Sequence, residues 1–395
     1  MSVDVKYVMV RSMLAARLKT YRFQIRNGNH FTLLVDGDVF FKEMLNAIGQ
    51  AQQHILLEQY LVKSGHLTNR FIQALCGAAQ RGVAVYLLLD DYGASNLSQT
   101  DRLRLENAGI KSCFFNPIHF KRFFHSLFRN HRKSLIVDGQ HVFIGGAGLA
   151  DEFSADISGP LAWYDVMLEI QGEVVQDWTQ LFIQTWQKHS LMPINLKEPG
   201  YPSHIANQAG RLLTSSPFSH KEINRALIKH LRRSQHRVWI TSPYFIATRK
   251  IRRILHQTAR RGVDVRLLLP GPYSDHPWIS FAARRYYMRM LKNHVRIFEY
   301  QPRFIHAKMQ VCDDWVSIGS SNLDRWNQHW NLDANQTIYE ADFAAETGHF
   351  FEQAFKLSKE ITLSSWRQRP WWTRLRESLS GLVVLWLERI SRLYR

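Results

Sequence analysis

Cysteine is scarce in this chain, long apolar runs are missing, and acidic residues are outnumbered. Its three cysteines, Cys76, Cys113 and Cys312, are too few and too scattered for a disulfide framework or a zinc-binding set, which fits a reducing, cytosolic setting. No stretch reaches the roughly 18 consecutive apolar residues of a transmembrane helix. The opening MSVDVKYVMVRSMLAARLKTYRF is broken by Lys6, Arg11, Arg17 and Lys19, where a secretory signal needs a continuous apolar core. Against 33 Asp and Glu stand 51 Lys and Arg, a net charge of +18. That excess favours polyanionic partners, either nucleic acid or an acidic membrane surface, and does not choose between them. A hydrophobic fraction of 45% with 21% charged residues is that of a globular protein. At 395 residues the chain exceeds what one core usually holds, so two domains are expected.

An internal repeat sets the architecture. AQRGVAVYLLLD at 79–90 returns as ARRGVDVRLLLP at 259–270, an offset of 180, and HRKSLIVDGQHVFIGG at 131–146 returns as HAKMQVCDDWVSIGS at 306–320, an offset of 175. One unit is therefore written twice. Each copy has the same order. A helix-periodic stretch (FFKEMLNAIGQAQQ, EINRALIKHLRRSQ) precedes a β-rich run (HILLEQYLV, HRVWITSPYFI). A second helix then stops at Gly82 or Gly262 before the buried strands VAVYLLL and VDVRLLL. Pro193, Pro199, Gly200 and Pro202 in MPINLKEPGYPSH mark the linker.

Both histidine phrases space His, Lys and Asp alike: His131, Lys133, Asp138 and His306, Lys308, Asp313. On a strand, His and Lys share a face, and the glycine and small-residue turn that follows offers donors for an anion. One His-x-Lys in a basic protein with 18 histidines reads as a solvated strand face. Two copies that keep His, Lys, Asp and Gly while their neighbours drift read as catalysis.

These residues resemble the paired HKD motifs of the phospholipase D superfamily over nearly the whole chain. Through TSPYF at 241–245 and GSSNLDRWNQHWNLDAN at 319–335 they resemble bacterial cardiolipin synthases of the shorter type without an N-terminal transmembrane hairpin. The resemblance implies an α/β fold of two pseudo-symmetric phospholipase D-like domains with one active site shared at their interface. The boundaries are read as a basic segment 1–30, a first domain 31–190, a linker 191–212, a second domain 213–365 and an amphipathic basic helix 366–395.

The implied chemistry is phosphodiester exchange without a metal or cofactor. His131 attacks phosphorus and His306 protonates the departing alkoxide, an order the near-symmetry of the site leaves open. Lys133 and Lys308 neutralise non-bridging oxygens, while Ser320 and Asn322 donate to them. Asp165 and Asp333 orient the histidines, and Asp138 and Asp313 brace the motifs. Gly148 departs from the pattern, standing where Asn is expected, which either weakens phosphate binding in the first half or leaves room for substrate.

Two segments point to lipid. HFKRFFHSLFRNHRK at 119–133 interleaves cations with Phe, as segments meeting anionic headgroups or nucleic-acid bases do. Trp372, Leu375, Leu379, Leu382, Val383, Trp386, Ile390 and Leu393 form an apolar stripe flanked by arginines, suited to a membrane interface. The expected protein is a peripheral phosphatidyltransferase on the cytoplasmic face of the inner membrane. It makes cardiolipin from phosphatidylglycerol, with phosphatidylethanolamine as another possible donor, and no obligate protein partner is inferred. A phospholipase D hydrolase, a phosphodiesterase or nuclease, and a non-catalytic anionic-lipid or nucleic-acid binding module are the alternatives. Nucleic acid is a partner only under these.

Overall fold

The computed structural model describes residues 21–118, 125–196, 205–217, 221–324 and 330–370. In the first half β1 (Arg26–Val35) leads into α1 (Gly37–Gln50), β2 (His54–Gln59), α2 (His66–Gln80), β3 (Ala84–Asp90), α3 (Gln99–Asn107) and β4 (Lys111–Phe115). A two-residue strand β5 (Arg129–Asn130) precedes the hairpin β6 (Ser134–Val137) and β7 (His141–Gly145), then β8 (Val166–Gly172) and α4 (Val175–His189).

The second half repeats this order. It has β9 (Gln208–Ser215), α5 (Glu222–Arg233), β10 (Arg237–Thr241), α6 (Arg249–Arg260), β11 (Asp264–Pro270), α7 (Pro277–Arg284) and α8 (Tyr287–Leu291). Next come β12 (Arg296–Tyr300), the hairpin β13 (Met309–Cys312) and β14 (Trp315–Gly319), then β15 (Asn331–Tyr339), α9 (Ala341–Lys356) and β16 (Ser358–Ile361).

The repeated helices form for the reason their spacing gives. Phe40, Phe41, Met44 and Ile48 of α1, and Ile223, Ala226, Leu227 and Leu231 of α5, recur at three and four positions and are buried. Gly82 and Gly262 take φ values of 87° and 91° just beyond α2 and α6, a left-handed exit that costs glycine nothing. In each half the strands after these helices run parallel, β2-β3-β4 and β10-β11-β12, and are joined antiparallel to the motif hairpin.

Both halves share one mixed sheet, of order β16-β12-β11-β10-β13-β14-β15-β9-β1-β8-β7-β6-β2-β3-β4. The seam is β1 against β9, antiparallel. β1 begins at Arg26, inside the stretch read as an N-terminal segment, and β9 begins at Gln208, inside the stretch read as linker. Each strand extends outward because it finds its partner across the seam. Isolated pairings also cross between the halves: β5 lies parallel to the start of β15, and Tyr164 bridges Ile305. The largest apolar cluster joins Leu56, Ile136 and Leu168 of one half to Trp239, Val311 and Val316 of the other. The C-terminal stripe from Trp372 onward and the first half of the cation-Phe segment before His131, residues 119–124, lie outside the described residues.

Candidate active site

The two crossing pairings build the site. His131 donates its backbone N–H to Leu332 O at 3.0 Å, and His306 donates its own to Tyr164 O at 2.7 Å. Leu332 and Tyr164 each precede a carboxylate, so each motif histidine is set beside the other half's aspartate. His131 Nδ1 is 3.0 Å from Asp333 Oδ1, and His306 Nδ1 is 2.7 Å from Asp165 Oδ2. An ionised carboxylate only accepts, so Nδ1 carries the proton in both rings and Nε2 is left for chemistry. Both histidines line a cavity of about 600 Å³, with Lys133, Asn322, Tyr60, Tyr244, Trp163 and Asp275 also in its wall.

The electrostatics follow from burial. His131 is pushed down to about 4 by desolvation first and the Lys133 charge second, against the pull of Asp333. His306 is also lowered, by burial and then Lys308, while Asp165 pulls it back. Lys308 Nζ donates to His306 O at 2.7 Å and lies 3.0 and 3.1 Å from the two ring nitrogens, a position that opposes a charged imidazole. Burial pushes Lys308 down to about 8, with Asp165, Asp275 and Asp333 opposing. Lys133 is depressed well below its ordinary value by burial and by Lys308; its ammonium donates to His131 O at 2.7 Å and lies 5.0 Å from the Tyr60 ring centre. Burial disfavours ionised Asp165 and Asp333. For Asp165 the charges of Lys308 and His306 outweigh it, for Asp333 the His131 contact and the Ser320 hydroxyl, and both stay below the usual carboxylate range.

The remaining motif residues divide between the cavity and its scaffold. Ser320, read as a phosphate donor, gives its hydroxyl proton to Asp333 Oδ1 at 2.7 Å. It therefore acts on the carboxylate behind His131 rather than on the cavity. Asn322 does line the cavity, and its Oδ1 has no hydrogen-bond partner among the described residues. Asp138 and Asp313 are remote from the chemistry. Each stands at the turn of its hairpin with a left-handed φ of 53° or 52°. Asp138 accepts the backbone N–H groups of Gln52, Gln53 and His54, and Asp313 those of Gln235, His236 and Arg237. Gly148 lines the cavity with its backbone, and a Cβ there would lie 2.7 Å from Leu61 Cβ and 2.8 Å from its carbonyl oxygen. The close approach of the loop after β2 excludes the side chain.

Sequence reasoning missed the shell behind His131. Asp90 accepts from Asn130 N at 2.8 Å and pairs with Arg129 at 3.2 Å, while Glu58 accepts from Asn130 Nδ2 at 2.7 Å. Both carboxylates were visible as charges at the C-terminal ends of the apolar strands HILLEQ and AVYLLLD, where α/β sheets present ligand-facing groups. Tyr60 and Tyr244, which follow β2 and β10, also line the cavity. Among the described residues no group of three or more His, Cys, Asp or Glu is placed to hold a metal.

A duplicated α/β fold with two His-x-Lys sets meeting in one cavity defines a protein of the phospholipase D superfamily. The family model described as cardiolipin synthase, PLD-like domain, matches residues 44–186 and again 227–355, and the chain belongs to that family. It is 30% identical over 357 residues to a cardiolipin synthase of Alkalihalophilus pseudofirmus, covering 89% of this chain and 71% of that protein. It is 32% identical over 361 residues to cardiolipin synthase A of Pseudomonas fluorescens, covering 90% and 74%. The crystal structure of phosphatidylserine synthase from Haemophilus influenzae shares the fold at 13% identity, with a TM-score of 0.72 over 97% of this chain and 98% of that one.

Proposed function

We propose that the protein is a phosphatidyltransferase that makes cardiolipin from phosphatidylglycerol through a phosphohistidine on His131. The observation that carries this is the crossed pairing of two buried histidines with two carboxylates around one cavity. His131, held neutral at pH 7, attacks phosphorus through Nε2. The bond to the glycerol oxygen breaks, and His306 gives that oxygen its proton, releasing glycerol. His306, now neutral, takes the proton from a hydroxyl of a second phosphatidylglycerol; the resulting oxygen attacks phosphorus, and the phosphorus–nitrogen bond breaks. The same steps with phosphatidylethanolamine release ethanolamine.

His131 takes the nucleophile's part because its proton is held so weakly. His306 recovers its proton when a phosphodiester anion enters beside it and answers the Lys308 charge. Lys133, Lys308 and Asn322 hold the non-bridging oxygens, and Asp165 and Asp333 fix the rings. The relatives, cardiolipin synthases by name, favour phospholipid substrates. On this reading the enzyme works as a peripheral protein at the cytoplasmic face of the inner membrane; no described helix is long and apolar enough to cross a bilayer.

A His306→Ala variant tests the covalent step. With a phosphatidyl ester of p-nitrophenol the leaving group needs no acid, while the second step still needs a base. The account expects a burst of p-nitrophenol equal to the enzyme present, and a phosphatidyl group on His131 by mass spectrometry. A group on another residue, or no burst, contradicts it.

A further inference from the structure

A second large cavity, of about 1350 Å³, lies between α6 on one side and, on the other, α8 with the residues that flank it, Arg285 to Asn293. Arg249, Lys250, Arg253, Arg260, Arg289 and Lys292 line it, and no carboxylate does so among the described residues. Arg252 and Arg285 complete the wall, with their guanidinium carbons 3.7 and 5.3 Å from the Tyr286 ring centre. The potential there is strong enough to act on a neighbour. His256 is pushed down to about 4 by burial and then by Arg289, Arg252 and Arg260. Like charges packed this densely oppose folding unless an anion answers them.

The fold does not require this cleft. The offset of 180 that aligns Arg260 with Gln80 also aligns Arg249 with Asn69 and Arg253 with Gln73. The one cation kept at these positions, Arg70 opposite Lys250, pairs with Asp156 at 2.8 Å. The facing helix α3 balances Arg102 and Arg104 with Asp101 and Glu106, and Arg104 pairs with Asp101 at 3.0 Å. Only the second copy has become basic between these helices.

Its position ties it to the catalytic cavity. Tyr244 and His276 line that cavity; Tyr244 lies shortly before α6, one wall of the cleft, and His276 just before α7, the helix that runs into the other wall at Arg285. Rings lead outward from the catalytic cavity: Tyr244 to His276 at 6.0 Å, and His276 to Trp278, on α7, at 6.2 Å. Trp278 is 45% exposed and Tyr273 is 42% exposed. Exposed aromatic rings beside clustered cations are what an interfacial protein presents to an anionic bilayer.

We propose that the α6/α8 cleft is the site by which the protein docks on an anionic bilayer. Lipid phosphates enter the cleft, Trp278 and Tyr273 enter the headgroup layer, and the catalytic mouth is set over its substrate. The proposal rests on the phospholipid reading of the catalytic site and adds a surface for it. The test uses the full chain with Arg249→Gln, Arg253→Gln and Arg289→Gln combined, beside a variant carrying Lys at the same three positions.

Binding is read by cosedimentation with vesicles of phosphatidylcholine alone or mixed with phosphatidic acid, an anionic lipid with no headgroup ester to transfer. Turnover is read separately on short-chain phosphatidylglycerol below its micellar concentration. Failure of docking and failure of the transfer chemistry are thereby distinguished. The Gln variant is expected to bind acidic vesicles at least about tenfold more weakly, with soluble-substrate turnover kept and a thermal midpoint no lower than that of wild type. The Lys variant, which keeps the charge, retains binding. Wild-type vesicle binding in the Gln variant overturns the proposal. So does release from vesicles by millimolar glycerol phosphate at constant ionic strength, which marks a site for soluble phosphates, or a loss confined to DNA binding.

Discussion

At the scale of single residues, the proposed acid must hold a proton that its surroundings push away. Burial and Lys308 lower His306 below its ordinary 6.5, while Asp165 raises it. The free enzyme's kcat/KM is therefore expected to fall on the alkaline side with a midpoint below 6.5. Asp165→Asn removes a group that holds the proton, so the midpoint moves further down and the rate drops about 10- to 100-fold. Lys308→Gln removes a repelling charge, so in the residual activity the midpoint moves up. Profiles on a soluble substrate that shift the same way in both variants would assign the limb to another group. His131, Lys133, His306 and Lys308 were legible because two copies of one phrase could be compared within the chain. The carboxylate partners were legible as residues and not as pairs. Asp165 lies 141 positions from His306 and Asp333 lies 202 from His131, and nothing local says that each serves the other half.

At the scale of elements, the two hairpin aspartates belong to the architecture. Asp313 collects three N–H groups at the start of β10 from a left-handed turn residue. Asp313→Ala loses the acceptor and strains the turn, and is expected to cost about 2 to 3 kcal/mol. Asn tolerates that φ and retains one oxygen, so Asp313→Asn costs less. Urea midpoints should separate the two while kcat per folded molecule stays at the wild-type value. A drop in kcat with unchanged stability would return Asp313 to the chemistry. Gly148→Asn is expected to lower stability by about 1 to 3 kcal/mol through overpacking on Leu61 without raising kcat. A faster, equally stable variant would show that the first half lacks only a donor. The strand and helix order was readable from periodicity and the Arg-Gly-Val stops. The tight contact at Gly148 was not, because it depends on where the loop after β2 comes to rest.

At the scale of the whole molecule, the shared sheet and the core between its halves bury groups that would otherwise titrate near neutrality. His131 is held near 4 in the folded chain and returns to about 6.5 when unfolded. The unfolded state thus binds more protons between those values, and stability falls as pH drops from 6.5 toward 4, with no further loss from this group below 4. The expected loss is about 2 to 3 kcal/mol by pH 4.5 from His131 alone. His230 and His256, also near 4, add to the acid sensitivity. Denaturant unfolding at pH 7 and 4.5 should show a smaller drop in His131→Asn than in wild type, and equal drops would contradict the buried neutral ring. The duplication predicted two halves, but the seam that joins β1 to β9 was hidden because both strands fall in stretches that read as terminus and linker. The central claim concerns the acceptor, and the lipid products formed from phosphatidylglycerol vesicles without added metal test it most directly. Wild type is expected to give cardiolipin and free glycerol, and His306→Ala neither. Phosphatidic acid without cardiolipin would make the protein a hydrolase, and no lipid turnover with cleavage of DNA or RNA would make it a nuclease.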